Sequence, residues 1–270
     1  MTSSLTVPIS AVISCYRCAD TVSRAVESVV RQTSLPRELI LVDDASPDDG
    51  ETLAALRGLA ARFNDKVPVS VLSLGTNQGA AGARNAGWDA ASQPYIALLD
   101  ADDAWHPRKL ELQHAWMSRH PEIVLTGHRI VEAGREPALA DTLEGLARPI
   151  GPALLLISNR FQTSSAMLRR SLPERFAAGK RYCEDYLLWL EIILRGRPAC
   201  LLDAVLAFRY KPAYGAGGLS GRLWSMQRGE LDALARVRRA RLLGLPTFVA
   251  AAAWSCVKFI RRLAAAPRFG

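Results

Sequence analysis

Cysteine is sparse and odd in number. Five thiols, Cys15, Cys18, Cys183, Cys200 and Cys256, are scattered over 270 residues, which argues against a disulfide framework and for reduced thiols in a cytosolic setting. Histidine is scarcer still, and His106, His114, His120 and His128 show no i, i+4 pairing of the kind that holds zinc. They read as ordinary surface or groove residues. Cys15-x-x-Cys18 has no second Cys or His pair at suitable spacing, so a redox pair and half of a zinc site are both minor readings of it. Met1 to Pro8 is short and polar and leads into no long apolar core, so no signal peptide is expected. Glycine is missing from one telling place. A dinucleotide-binding fold needs Gly-x-Gly-x-x-Gly directly after its first strand, where backbone must approach a pyrophosphate. Here that position reads Ser14-Cys15-Tyr16-Arg17-Cys18, which points away from nicotinamide cofactors and leaves a mononucleotide open.

What is present is alternation. Val7 to Ser14 reads as a buried strand, and Asp20 or Thr21 can cap a helix with Val22, Ala25, Val26, Val29 and Val30 on one face. Leu39 to Val42 predicts a second strand, ending in Asp43-Asp44 and a turn-forming Ala-Ser-Pro-Asp-Asp-Gly. A helix over about 51–63, a strand over 69–74, a glycine-bearing loop and helix through Asn77 to Ala91, and a strand from Tyr95 follow. This pattern predicts an α/β fold with a mostly parallel sheet covered by helices, whose ligands bind at the carboxyl ends of the strands.

The fourth strand, Tyr95 to Leu99, runs into Asp100, Asp102 and Asp103. Carboxylates packed this closely repel strongly unless water, protonation or a divalent cation relieves them. An isolated Asp-x-Asp is most often a solvated turn, but a buried strand leading into it favours a clamp for Mn2+ or Mg2+ and a diphosphate. Further on, Glu184 and Asp185 open an apolar helix, where the macrodipole alone stabilises acids by about 0.3–1 kcal/mol each.

Four stretches carry a resemblance: Ala-Val-Ile-Ser-Cys-Tyr, Leu-Ile-Leu-Val-Asp-Asp-Ala-Ser-Pro-Asp-Asp, Asn77-Gln-Gly79 with Ala83-Arg84-Asn85-Ala86-Gly87, and Tyr-Ile-Ala-Leu-Leu-Asp-Ala-Asp-Asp-Ala-Trp-His-Pro-Arg-Lys-Leu. Together they resemble the family-2 inverting glycosyltransferases of the GT-A fold, of the kind that builds bacterial polysaccharide and lipopolysaccharide. The likeness is close over about 7–115 and looser to about 212. It implies nucleotide-sugar binding by Ser14, Tyr16, Asp43, Asp44, Asn77, Arg84, Asp100 and Ala101, with Ser14, Tyr16 and Asp44 on the nucleoside, Asp100 facing ribose or sugar, and Arg84 near the diphosphate. It also implies a metal held by Asp102 with Asp100, and Asp185 as general base beside Glu184, which orients it or meets the acceptor. Arg17 departs from the pattern, since the family usually carries asparagine after the tyrosine.

The implied reaction is metal-dependent transfer from a nucleotide sugar, UDP-linked first, to a glycan or lipid-linked acceptor. A haloacid-dehalogenase-like phosphatase using Asp100 and Asp102 is the rival, and a non-catalytic basic module is the third reading. Residues 1–221 are expected to form the catalytic domain, with nucleotide binding over about 7–105 and acceptor binding over 106–221. Lys109 to Met117 predicts an exposed or half-buried helix, 127–148 a loop-bearing connection, and 214–221 a mobile glycine-rich loop over the site. The net charge of +8 concentrates after Arg222, and residues 222–270 predict a basic, partly apolar helical extension. Leu242 to Ile260 is borderline for a span of about 20 residues and is broken by Pro246, Ser255 and Lys258. A helix lying in an anionic membrane surface and a helix packed on the domain both fit it. No nucleic-acid partner is expected, and the expected location is the cytoplasm, with peripheral attachment at the inner face of the plasma membrane.

Overall fold

The computed structural model describes residues 5–135, 141–210 and 222–265. Strand β1 (Leu5–Cys15), helix α1 (Ala19–Val30), β2 (Ser34–Asp43), α2 (Glu51–Phe63), β3 (Val69–Ser73), α3 (Gly79–Ala90) and β4 (Tyr95–Asp100) follow in order, and the expected alternation is present. β1 pairs in parallel with β2 and with β4, and β2 with β3. The side chains explain the two-sided burial. Ala11 and Ile13 of β1 with Leu39 and Leu41 of β2 face a core under α1, α2 and a later helix, while Val12, Ile40 and Val42 face a second core on the other side. A strand buried on both faces needs a continuous apolar run, and these strands have one. Gly87 lets α3 lie close on the sheet, because a Cβ there would come within 2.3 Å of Val12.

The second half mixes strand directions. After β5 (Asp103–Trp105) and α4 (Lys109–Arg119) come β6 (Leu125–Glu132), β7 (Ala147–Pro149), α5 (Pro152–Ile157), a short 3-10 turn (Thr163–Ser165), β8 (Met167–Arg169), α6 (Glu184–Leu194) and β9 (Ala199–Arg209). The sheet order is β3-β2-β1-β4-β8-β6-β9-β5, with β7 on β9. Two expectations change here. The 127–148 connection contains most of β6, a strand between β8 and β9. Its Gly127 marks close packing, since a Cβ would lie 2.6 Å from the Phe161 ring. Helix α4 is also deeper than expected, with Lys109, Leu110, Gln113 and Trp116 all buried. The Lys109 ammonium sits 3.8 Å from the centre of the Trp105 ring and has no hydrogen-bond partner, and burial pushes its pKa well down. Nor is His128 a surface residue: burial, then the charge of Lys109, depresses it to about 3.

Helices α7 (Leu223–Arg239) and α8 (Leu245–Ala265) complete the described chain. Pro246 falls in the first turn of α8, where a missing N–H costs nothing, and so does not break it. Both helices continue the second core through Ala233, Leu234, Val237 and Ala251. Gly229 of α7 meets the backbone of Tyr182, where a Cβ would come within 2.7 Å. One side of α8 is therefore packed on the domain and the other is exposed. No helix among the described residues is long and apolar enough to cross a membrane. The glycine-rich stretch 214–221, expected as a mobile loop over the site, lies outside the described residues.

Candidate active site

The ladder itself gathers the strand-end residues. Ser14 stands opposite Asp100 in one neighbouring strand and Val42 in the other, and Cys15 stands opposite Asp43. Ser14 is half-buried and Tyr16 exposed at this edge. The Asp43 carboxylate is taken up locally, accepting from the Ser46 hydroxyl at 2.6 Å and the Ser46 N–H at 3.2 Å. Asp44 is buried and reaches the start of α3, where it accepts from the Gln78 N–H at 2.7 Å and the Asn77 amide at 2.9 Å. Burial pushes its pKa up, and the Gln78 and Gly79 N–H groups work against that. Asn77 and Asp44 are thus tied to each other beside a cleft of about 250 Å³ that Gly82, Gly179 and Arg181 also line. Nothing in the local pattern around Arg181 singles it out in the sequence.

Arg17 has φ 48° and Ala45 φ 50°. This left-handed geometry is tolerated best by glycine and asparagine. The structure therefore gives a physical reason for an asparagine after the tyrosine, and Arg17 occupies that geometry at a cost. The Cys15 and Cys18 thiols behind this loop are buried and free. Their mutual hydrogen bond pushes Cys15 up and Cys18 down. No cluster of three or more potential metal-ligating side chains is present among the described residues.

Beyond β4, Asp100 and Asp103 are joined through one hydroxyl, the Asp100 N–H donating to Ser164 Oγ at 3.1 Å and Ser164 donating to Asp103 Oδ2 at 2.6 Å. Burial, then the Asp100 charge, pushes Asp103 up to about 7, with Ser164 opposing and Asp102 adding to the rise. The oxygens of this strand end would suit a hard divalent cation, and with so few carboxylates such an ion would draw its remaining ligands from water and substrate phosphates. Ala101 is buried between the two acids of the motif.

One buried guanidinium ties this strand end to the helix carrying Glu184 and Asp185. Arg84 of α3 donates through Nη2 to Asp100 at 2.8 Å and through Nη1 to Glu184 at 2.7 Å. Burial alone would lower its pKa, but the two carboxylates outweigh it and keep the group protonated. The terminal nitrogens of Arg84, the residue expected near a diphosphate, face two acids in the floor of the site. Next to Glu184, Asp185 accepts from the Asn159 amide at 3.0 Å and from the Tyr186 N–H at 2.7 Å. Burial, then the Glu184 charge, pushes it up to about 7, with Arg84 and the two hydrogen bonds opposing. A carboxylate poised there can both hold and release a proton near neutral pH. Asn159 and Ser164 escape a sequence reading because each acts across a gap of 26 residues or more.

The family model for "Glycosyl transferase family 2" matches residues 10–175. The chain is 31% identical over 212 residues to the UDP-Glc:alpha-D-GlcNAc-diphosphoundecaprenol beta-1,3-glucosyltransferase WfgD of Escherichia coli, covering 75% of this chain and 76% of that protein. With the amylovoran biosynthesis glycosyltransferase AmsE of Erwinia amylovora it shares 29% identity over 199 residues, 69% of each. Among solved structures, the mannosyltransferase PcManGT of Pyrobaculum calidifontis in complex with GDP-Man and Mn2+ superposes with a TM-score of 0.67 at 18% identity, over 97% of this chain and 76% of that one. S. aureus TarS 1-349 in complex with UDP-GlcNAc gives 0.66 at 15% identity, over 85% and 66%. At those identities the likeness is one of fold.

Proposed function

Because the chain belongs to glycosyl transferase family 2, we propose that it transfers a sugar from a nucleotide donor, UDP-linked first, to a lipid-linked glycan in bacterial polysaccharide assembly, with inversion at the anomeric carbon. The observation that supports this reading is the Asp100–Arg84–Glu184 bridge, which joins the end of β4 to the start of α6, where Asp185, the proposed base, follows Glu184. The relative WfgD is named for a UDP-glucose donor and a diphosphoundecaprenol-linked acceptor, and that supports both halves of the proposal. Membership of the family sets the phosphatase and basic-module readings aside.

In this mechanism Ser14, Tyr16 and Asp44 frame the nucleoside, and Asp100 and Asp102 offer oxygen ligands for a divalent cation at the diphosphate. Such a cation supplies positive charge against the departing diphosphate. Asp185 takes the acceptor hydroxyl proton as that oxygen bonds to the anomeric carbon and the carbon–oxygen bond to the diphosphate breaks. A single displacement needs no carboxylate nucleophile, unlike retaining glycoside hydrolysis. Glu184, fixed by Arg84, sits beside Asp185, and its charge raises the basicity of that carboxylate.

The test is a screen of nucleotide sugars with Mn2+ by thermal shift, followed by turnover of the donor that stabilises most. Asp185→Asn keeps the shape and one of the two accepted hydrogen bonds, since an amide has a single acceptor oxygen, but it cannot take a proton. It should preserve the donor-induced shift and lower turnover by about 10²–10⁴-fold. Parental turnover in Asp185→Asn would remove the base, and a screen in which no nucleotide sugar stabilises the protein would remove the function.

A further inference from the structure

The side of α8 turned away from the domain is apolar almost throughout. Val249, Val257 and Ile260 are 55%, 45% and 64% exposed, and Ala250, Ala253 and Cys256 lie exposed among them. A helix face of this composition in water normally has a partner. The patch extends beyond α8. Trp224 at the start of α7 is 64% exposed and packs edge-on against Phe259 at 4.8 Å. With Arg222, Leu223 and Leu263 it lines an open cleft of about 490 Å³. At the other edge the Trp254 indole donates to the Ile157 carbonyl at 3.1 Å, which joins the exposed Leu154 and Ile157 of α5 to the same surface.

Charge identifies the occupant. Residues 222–270 hold ten of the 34 Lys and Arg but two of the 26 Asp and Glu, so the whole +8 resides in them and residues 1–221 are balanced. Arg261 follows Ile260 directly, Arg239 and Arg241 stand just ahead of α8, and all three are exposed. Apolar side chains bordered by arginine, with tryptophan at the edges, match an anionic lipid surface, where rings and guanidinium groups settle among the headgroups. Position matters as much as composition. Two residues beyond Ile157, Asn159 holds the Asp185 carboxylate, so the patch borders the side of the cleft that carries the base.

We propose that the α5–α8 face seats the protein on an anionic bilayer and so holds the Asp185 side of the cleft against an acceptor carried in that bilayer. The second clause rests on the glycosyltransferase reading above; the first does not. Tryptophan reports on it directly. Of the six tryptophans, Trp88, Trp105, Trp116 and Trp189 are buried in the core, and the two exposed ones, Trp224 and Trp254, both belong to this face. The full-length protein is mixed with vesicles of phosphatidylglycerol and phosphatidylcholine containing dibrominated acyl chains, and vesicles of phosphatidylcholine alone serve as the control. The expected result is fluorescence quenching on the anionic vesicles, lost in Trp224→Phe/Trp254→Phe although that variant still sediments with them. Val257→Glu/Ile260→Glu should bind at least tenfold more weakly with an unchanged melting temperature; Val257→Ser/Ile260→Ser replaces it if the charged pair misfolds. Sedimentation without quenching, equal binding to both vesicle types, or parental binding by the face variants would each overturn the proposal. So would a parent that is dimeric by light scattering, ignores vesicles, and becomes monomeric on the same substitutions, because the face would then cover a second copy. Donor-induced thermal shifts, measured without vesicles, report separately on the glycosyltransferase reading.

Discussion

Arg84→Met measures how much the bridge in the floor of the site stabilises the fold. The substitution keeps most of the stem and removes the charge from between Asp100 and Glu184. Glu184 has a side chain only 10% exposed and Asp100 one 33% exposed, so the two losses differ. Leaving a buried acid without its cation costs about 3–5 kcal/mol, and water reaching Asp100 reduces its share. An overall loss of about 3–4 kcal/mol follows, a fall of roughly 10 °C in melting temperature for a chain of this size. Urea and thermal unfolding of the metal-free protein measure it. Lowering the pH should shrink the deficit, since protonating the stranded acids removes the unpaired charge. Adding Glu184→Gln to Arg84→Met should recover part of the loss, with a coupling of at least about 1 kcal/mol. A cost below about 1 kcal/mol with no coupling would refute the reasoning and make the bridge incidental to stability.

The pH dependence of turnover should show an acidic limb with an apparent pKa near 7, because a base at Asp185, pushed up to about 7, would act only when ionised; Arg84→Met, which removes a charge that holds Asp185 down, should move the limb to higher pH. In stability the sign is opposite. A carboxyl whose folded pKa lies above its unfolded value stabilises at low pH and loses that contribution as pH rises through about 7, so Asp185→Asn should raise the melting temperature of the metal-free protein more at pH 8 than at pH 5. Arg17→Asn should stabilise by about 0.5 kcal/mol in urea unfolding, since asparagine accepts the φ of 48° more readily; a loss would show that the arginine side chain holds the loop. In a thiol titration Cys256 should react fast in the native protein, and Cys15, Cys18, Cys183 and Cys200, all buried, only after unfolding.

The βα alternation of the first half was legible because each strand is a short apolar run and each helix carries its burial at helical spacing, as Val22, Val26 and Val29 do. The strand-end acids were legible for the same reason, since a strand that ends in Asp100 or Asp43 fixes where those carboxylates lie. The bridge was not. Arg84 and Glu184 are 100 residues apart, and nothing near either names the other. Strand β6 was missed because Gly127, His128 and Arg129 break the apolar run, and what suits them to the strand is tertiary: a close-packed Phe161 ring and a buried pocket for His128. The depth of α4 was hidden by Lys109, a residue normally taken as a sign of solvent. The two fates weighed for the tail are compatible, since a 21-residue helix can pack one side and leave the other exposed.

The Arg84 bridge also bears on how this architecture could be re-engineered. Arg84 lies on α3, within the half expected to bind the nucleotide, yet it holds Glu184 of α6 in place, so the spacing between the Asp100 strand end and the start of α6 is set from one side of the molecule. The 141–146 connection, which belongs to no strand or helix, does not have to carry that spacing, whereas the segment after α5 shares in it through the Asn159–Asp185 hydrogen bond. That connection can be lengthened, shortened or exchanged between homologues as long as Arg84, Asp100 and Glu184 travel together. Chimeras that swap it should therefore keep the register of α6 on the sheet when the junctions leave this triad intact, and should lose it when a junction separates an arginine from a foreign partner.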